Sequence, residues 1–138
     1  MKKSILVMFL LVLISTSIFA DIQISNYEVL PSTARPGVKG TATLTITNGG
    51  TNVLERVTVS IQPSSGIEAK SSVYIGDMEP DGTSLISVPF TVKDNTPSGV
   101  YALRIIVRGA EQITSGADNS LSRAIDIPIY VNRPPSLS

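Results

Sequence analysis

Two apolar alternations separated by one turn constrain this chain more than any other feature. Between Ser84 and Val92, Ile86, Val88, Phe90 and Val92 alternate with Ser87, Pro89 and Thr91. Between Tyr101 and Val107, Tyr101, Leu103, Ile105 and Val107 alternate with Ala102, Arg104 and Ile106. A period of two marks a strand with one buried face. The joining stretch, Lys93-Asp94-Asn95-Thr96-Pro97-Ser98-Gly99, is dense in turn formers: Pro presets φ, Gly permits positive φ, and Asn and Asp bond their own backbone. Two apolar faces need an opposing sheet, so the rest of the chain is expected to supply one.

It has the material to do so. Ala42, Leu44 and Ile46 alternate with Thr41, Thr43, Thr45 and Thr47, a strand whose wet face is threonine. Asn48-Gly49-Gly50-Thr51-Asn52 then reads as a hairpin turn, with Val57, Val59 and Ile61 returning. In the opening segment, Asp21 to Leu30, the alternation changes phase at Asn26, which predicts a bulge or a change of sheet in an edge strand. Ile67 and Ala69 form one short piece and Val73 and Ile75 another, followed by Gly76 to Gly82 as a turn. Gly109 to Ser122 is polar and reads as a long mobile hairpin loop. Ile125, Ile127, Ile129 and Val131 close the pattern, and Pro128, lacking an N–H, places this last strand at an edge or a bulge. No segment after residue 20 has helical periodicity. The expectation is an all-β, Ig-like antiparallel β-sandwich of about seven to eight strands.

The first 20 residues differ in kind. A basic start (Lys2, Lys3), an apolar run from Ile5 to Ile14 and small residues ending in Phe19-Ala20 read as a secretory signal peptide cut after Ala20. An uncleaved anchor is the alternative, because Ile18 stands where a small residue is favoured. The run is shorter than the roughly 20 residues a membrane-spanning helix needs. The expected organisation is a signal peptide at 1–20, one sandwich domain at 21–132, and a linker or tail at 133–138. Localisation follows as secreted, extracellular or in the cell envelope.

Composition narrows the function. Without Lys2 and Lys3 the chain carries nine basic and eleven acidic side chains, with no run of either sign, so no nucleic-acid partner is indicated, and membrane contact is expected only through an uncleaved signal segment. There is no Cys, His or Trp. About 110 residues must therefore hold together by core burial without disulfides. The usual zinc ligands and the commonest proton shuttle are missing too. Ser64-Ser65-Gly66 and Ser98-Gly99 lack a histidine base and a strand-to-helix elbow, and Lys39, Lys70 and Lys93 sit in no Ser-Lys motif. No enzyme activity and no cofactor are expected.

Four stretches together resemble a known group. Leu30-Pro31 with Arg35-Pro36-Gly37, Ala42 to Gly50, Ile75 to Gly82 leading into Ile86 to Val92, and Pro97-Ser98-Gly99-Val100-Tyr101-Ala102-Leu103 are similar to the Ig-like CARDB-type and NEW3-type modules of bacterial and archaeal surface proteins, including S-layer-related ones. The resemblance implies an extracellular sandwich without a catalytic site, serving in cell adhesion, spacing or protein contact. It also implies tandem modules, with Asn132 to Ser138 as a linker into a second one. Partners would be other envelope or surface proteins or neighbouring modules; the sequence leaves the oligomeric state open. Two other readings stand beside this one: a small secreted ligand-binding protein using the Gly109 to Ser122 loop, and an accessory domain of a secreted hydrolase.

Candidate site residues fall in three places. Asp77, Glu79 and Asp81 before Gly82 have the spacing that opens a calcium loop, but Val88 stands where such a loop supplies its bidentate Glu, so a solvated turn is the ordinary reading. Tyr101, with Gly99 and Pro97, is placed to form a tyrosine corner, a structural role. Arg104, Ile106 and Arg108 should point outward together, a contact face or simply a solvated one. The threonine ladder is likewise a glycan surface or a wet strand face.

Overall fold

A computed structural model describes residues 21–113 and 119–135. The signal-peptide expectation at 1–20, residues 114–118 of the expected Gly109 to Ser122 loop, and residues 136–138 of the expected tail lie outside the described residues. Among the described residues eight strands form: β1 (Ile22–Leu30), β2 (Lys39–Asn48), β3 (Leu54–Pro63), β4 (Ile67–Ala69), β5 (Ser72–Met78), β6 (Thr83–Val92), β7 (Gly99–Glu111) and β8 (Asn119–Val131). They make two antiparallel four-stranded sheets, ordered β1-β2-β6-β4 and β5-β3-β7-β8.

The alternations set the core. Leu44 and Ile46 of β2 and Val88, Phe90 and Val92 of β6 face Val57, Val59 and Ile61 of β3, Leu103, Ile105 and Val107 of β7 and Ile127 and Ile129 of β8, all buried. Fully burying each such side chain contributes about 1.5–3 kcal/mol. Gly40 is required where Phe90 crosses β2: a Cβ there would meet the Phe90 ring and stand 2.9 Å from the Leu30 carbonyl oxygen.

Both edge expectations hold. β1 and β8 end their sheets on the same side, and the phase change in β1 is a register shift between Ser25 and Glu28 with Asn26 at φ 53°. Pro128 sits opposite Ala102 in β8. Ala34 N–H donates to Tyr130 O at 2.8 Å and Asn132 N–H to Ala34 O at 2.9 Å, so even-numbered residues of this stretch turn their backbone groups away from β7. The missing N–H of Pro128 thus falls on the outer edge, where no ladder bond is lost.

Three expectations are corrected. The Asn48 to Asn52 turn is not a hairpin: β2 and β3 lie in different sheets, and the segment arches between them. A turn-forming composition reverses the chain without deciding whether the next strand pairs with the last one. The link from β6 to β7 likewise crosses the sandwich.

Gly109 to Ser122 is not one long loop. β7 continues to Glu111 and β8 starts at Asn119, with ladder pairs Gly109↔Leu121, Ala110↔Ser120 and Glu111↔Asn119. Backbone pairing needs no apolar side chains, and Glu111 is buried as the acceptor of Asn52 Nδ2 at 2.7 Å and Asn119 Nδ2 at 3.2 Å. Finally, Gly76, Asp77 and Met78 belong to β5, so the turn is only Glu79 to Gly82, where Gly82 N–H donates to Glu79 O at 2.9 Å. Met78 is drawn into the core, which extends the strand beyond its polar neighbours.

Candidate functional site

Pairing registers place the outward residues of β5-β3-β7-β8 in rows. Tyr74, Thr58, Arg108 and Ser122 form one; Ser72, Ser60, Ile106 and Ala124 the next; Gln62, Arg104 and Asp126 a third. Arg104, Ile106 and Arg108 therefore share one outer face, with both arginines exposed and Ile106 half-buried. Exposed aromatics stand at its two ends, Tyr74 at 69% and Tyr130, beside Val100, at 51%.

The two arginines differ in their surroundings. Arg104 Nη1 lies 3.6 Å from Asp126 Oδ1, a pair with both side chains more than half exposed. Such surface pairs contribute about 0–1 kcal/mol. Among the described residues Arg108 makes no ion pair. It borders a depression of about 370 Å³ with Glu55, Gly109, Ala110, Ser120 and Ser122 around it. A Cβ on Gly109, which shares the inward phase of Val107 and Glu111, would come 3.2 Å from Val57 Cγ2, so the glycine lets β7 lie close to the bulged β3.

The depression exists because β3 bulges beside it. Register shifts fall between Glu55 and Thr58, and Arg56 takes φ 53°. Asp77 Oδ1 accepts the Arg56 backbone N–H at 3.0 Å, fastening the bulge to β5.

That bond redefines the acidic trio. Asp77 serves the bulge, Glu79 begins the turn, and Asp81, at φ 62°, donates its N–H to Asn48 O at 2.8 Å. With Pro80 second and a positive φ third, Glu79 to Gly82 has the form of a type II turn. Among the described residues no group of three acidic side chains is arranged to hold a metal ion.

Tyr101 forms the corner bond: its hydroxyl donates to Pro97 O at 2.7 Å. The corner is braced from below, since the buried Thr96 donates its Oγ1 hydrogen to Gly66 O at 3.1 Å. Gly66, at φ +95°, has no room for a Cβ beyond 3.0 Å from Thr96 Cγ2. Gly99 is not needed in the same way, because a Cβ there would sit in ordinary contact 3.7 Å from the Tyr101 ring.

Two polar residues that sequence reasoning passed over organise the opposite end. Asn48 is fully buried, donating from Nδ2 to Asn52 O at 2.9 Å and Met78 O at 3.0 Å and accepting Gly50 N–H on Oδ1 at 3.1 Å. Glu111 joins that arch to the β7–β8 hairpin through Asn52. A signal for both existed: Asn48 follows Leu44 and Ile46 in phase, and Glu111 follows Ile105 and Val107, so each is a polar residue on an inward position.

No family model matches the sequence, and no curated protein matches it. Solved structures do. Part of the Escherichia coli alpha-2-macroglobulin, from domain MG7 to the C-terminus, is 16% identical with a TM-score of 0.61, over 84% of this chain and 17% of that one. This chain thus spans about a sixth of that structure's length. A family 123 glycoside hydrolase from Clostridium perfringens is 11% identical with a TM-score of 0.55, over 83% of this chain and 27% of that one. AvmM, which catalyses macrocyclization in alchivemycin A biosynthesis, is 9% identical with a TM-score of 0.52, over 86% and 91%. At such identities the likeness concerns the fold alone, and the chain is an all-β sandwich of the Ig-like kind.

Proposed function

We propose that the chain is an exported, non-catalytic Ig-like module of the CARDB or NEW3 kind, working at the cell surface or envelope in adhesion, spacing or protein contact. One observation carries the reading: two arginines flank Ile106 on a broad outer face that ends in the exposed Tyr74 and Tyr130. Arg and Tyr around a small apolar centre are the residues enriched where proteins meet. A rigid sandwich holds such a face in fixed geometry at little conformational cost.

The test is retention. Cells carrying Arg104→Glu, Ile106→Asp and Arg108→Glu together should release the protein from the envelope fraction into medium or periplasm, with its thermal transition preserved. Retention equal to the parent would refute the role of this face. An immunoblot of the same fractions reports native size, and a band far above 14.6 kDa is what tandem modules require.

A further inference from the structure

Among the described residues no strand lies along most of the outer side of β6 in the sheet β1-β2-β6-β4. β6 has ten residues, yet β4 pairs only with Val92, Thr91 and Phe90. The chain leaves this edge at Lys70 because Ser71 O accepts from Ile61 N–H at 2.8 Å, which carries the segment into the facing sheet as β5.

Strand alternation tells which groups face the gap. Val92 N–H donates to Val38 O and Val92 O accepts from Gly37, while Gly82 O accepts from Asn48, all on the β2 side. Lys93 N–H instead donates to Gly66 O, on the β4 side. Even residues of β6 therefore serve β2, and Thr83, Leu85 and Ser87 aim their backbone groups into the gap, while Pro89 faces Lys70 at the end of β4. Among the described residues the groups of Thr83, Leu85 and Ser87 have no partner there. Their donors are left available on an open edge.

The gap is a notch and not a plain edge. β1 and β8 share one side of the sandwich, so β4 and β5 share the other, and β5 lies beneath the empty position. Ala69 of β4 and Val73 and Ile75 of β5 pack against the core there and stay partly exposed.

We propose that Thr83 to Val88 is a strand-addition site that takes an extended segment of another protein, antiparallel to β6. Main-chain bonds supply affinity in this mode and alternate side chains supply selectivity. A lone strand fits above β5. A second copy pairing β6 to β6 about a two-fold axis would bring its own facing sheet into the space that β5 fills.

The six positions span about 20 Å. Residues opposite Val88, Ile86 and Ser84 point inward and should be apolar; those opposite Ser87, Leu85 and Thr83 point outward, beside Leu85 at 72% exposure. The residue just before the paired stretch arrives at a depression lined by Lys39, Lys70 and Glu68, where two lysines against one glutamate favour an acidic residue. The site is separate from the arginine face, so its failure leaves that reading standing.

The experiment is amide exchange by NMR on the ¹⁵N-labelled protein, with the probe peptide Asp-Val-Thr-Val-Thr-Val-Thr. In the free protein Leu85 and Ser87 amides should exchange fast while Ile86 and Val88 are protected. The probe should slow Leu85 and Ser87 by about tenfold or more. Ser87→Pro, which removes a donor only on the gap side, should abolish that response. If that variant fails to fold, a probe with proline at its third and fifth residues must give no protection. Protection of Leu85 and Ser87 in the free protein overturns the proposal. So does absence of any slowing at millimolar probe. Protection that grows with protein concentration alone overturns it too, because the occupant is then a second copy.

Discussion

Replacing Asn48 with Ala removes, at one buried point, the side-chain bonds that tie the β2–β3 arch to Met78 and to its own turn, while the backbone bonds of Asn48 to Asp81 and Gly82 remain. Two backbone carbonyls, of Asn52 and Met78, lose a donor and the Gly50 N–H loses its acceptor. An unsatisfied buried group costs about 1–3 kcal/mol. The contact to Asn52 is only part-buried, so water replaces some of that loss. The expected destabilisation is about 3–5 kcal/mol, a large share of the roughly 5–15 kcal/mol typical of a domain. With a slope near 2 kcal/mol/M, the urea midpoint should fall by about 2 M. Thr47→Ala, one residue away on the outer face, should change stability by no more than about 0.5 kcal/mol. Asn48→Asp keeps the acceptor for Gly50 but sets a carboxylate oxygen against two carbonyls, so it should do no better than Ala. If Asn48→Ala unfolds at the same urea concentration as Thr47→Ala, the arch is not organised by this amide.

Two smaller changes test other joints. Tyr101→Phe deletes the bond to Pro97 and should cost about 1 kcal/mol, seen as a melting temperature lower by about 4 °C. Gly40→Ala forces a Cβ against the Phe90 ring and the Leu30 carbonyl, and calorimetry should record a loss of about 1–3 kcal/mol.

The strands were legible because alternation reports which side of a pleat is dry, and Leu44, Val88, Ile105 and Ile127 all lie where their phase puts them. Pairing was not legible to the same degree. Asn48-Gly49-Gly50 announces a change of direction, but its destination depends on an amide bonded to Met78, thirty residues away. Gly109 to Ser122 looked like a loop because composition cannot register main-chain ladders or a carboxylate clamped between two asparagines. Arg104, Ile106 and Arg108 were readable as one face from period alone. The depression beside Arg108 was not, since it arises from a β3 bulge at Arg56. The notch beside β6 was hidden for a related reason: it is a missing neighbour, produced by where Ser71 finds its partner.

The ends of the sandwich have a mechanical meaning. Asp21 enters beside Gly49, whose N–H bonds its carbonyl at 2.8 Å, while Asn132 leaves beside Ala34 at the other end, where β8 finishes opposite Gly99. Tension between these points runs along the strands, over roughly 40 Å for thirteen residues. It pulls β1 lengthwise past β2 and tugs the parallel bridge between Ala34 and Val131 in shear, so many bonds resist together instead of opening one after another. Forced unfolding is governed by the unfolding rate and not by equilibrium stability. A chain strung this way keeps its length under pull for as long as those lateral bonds hold in concert.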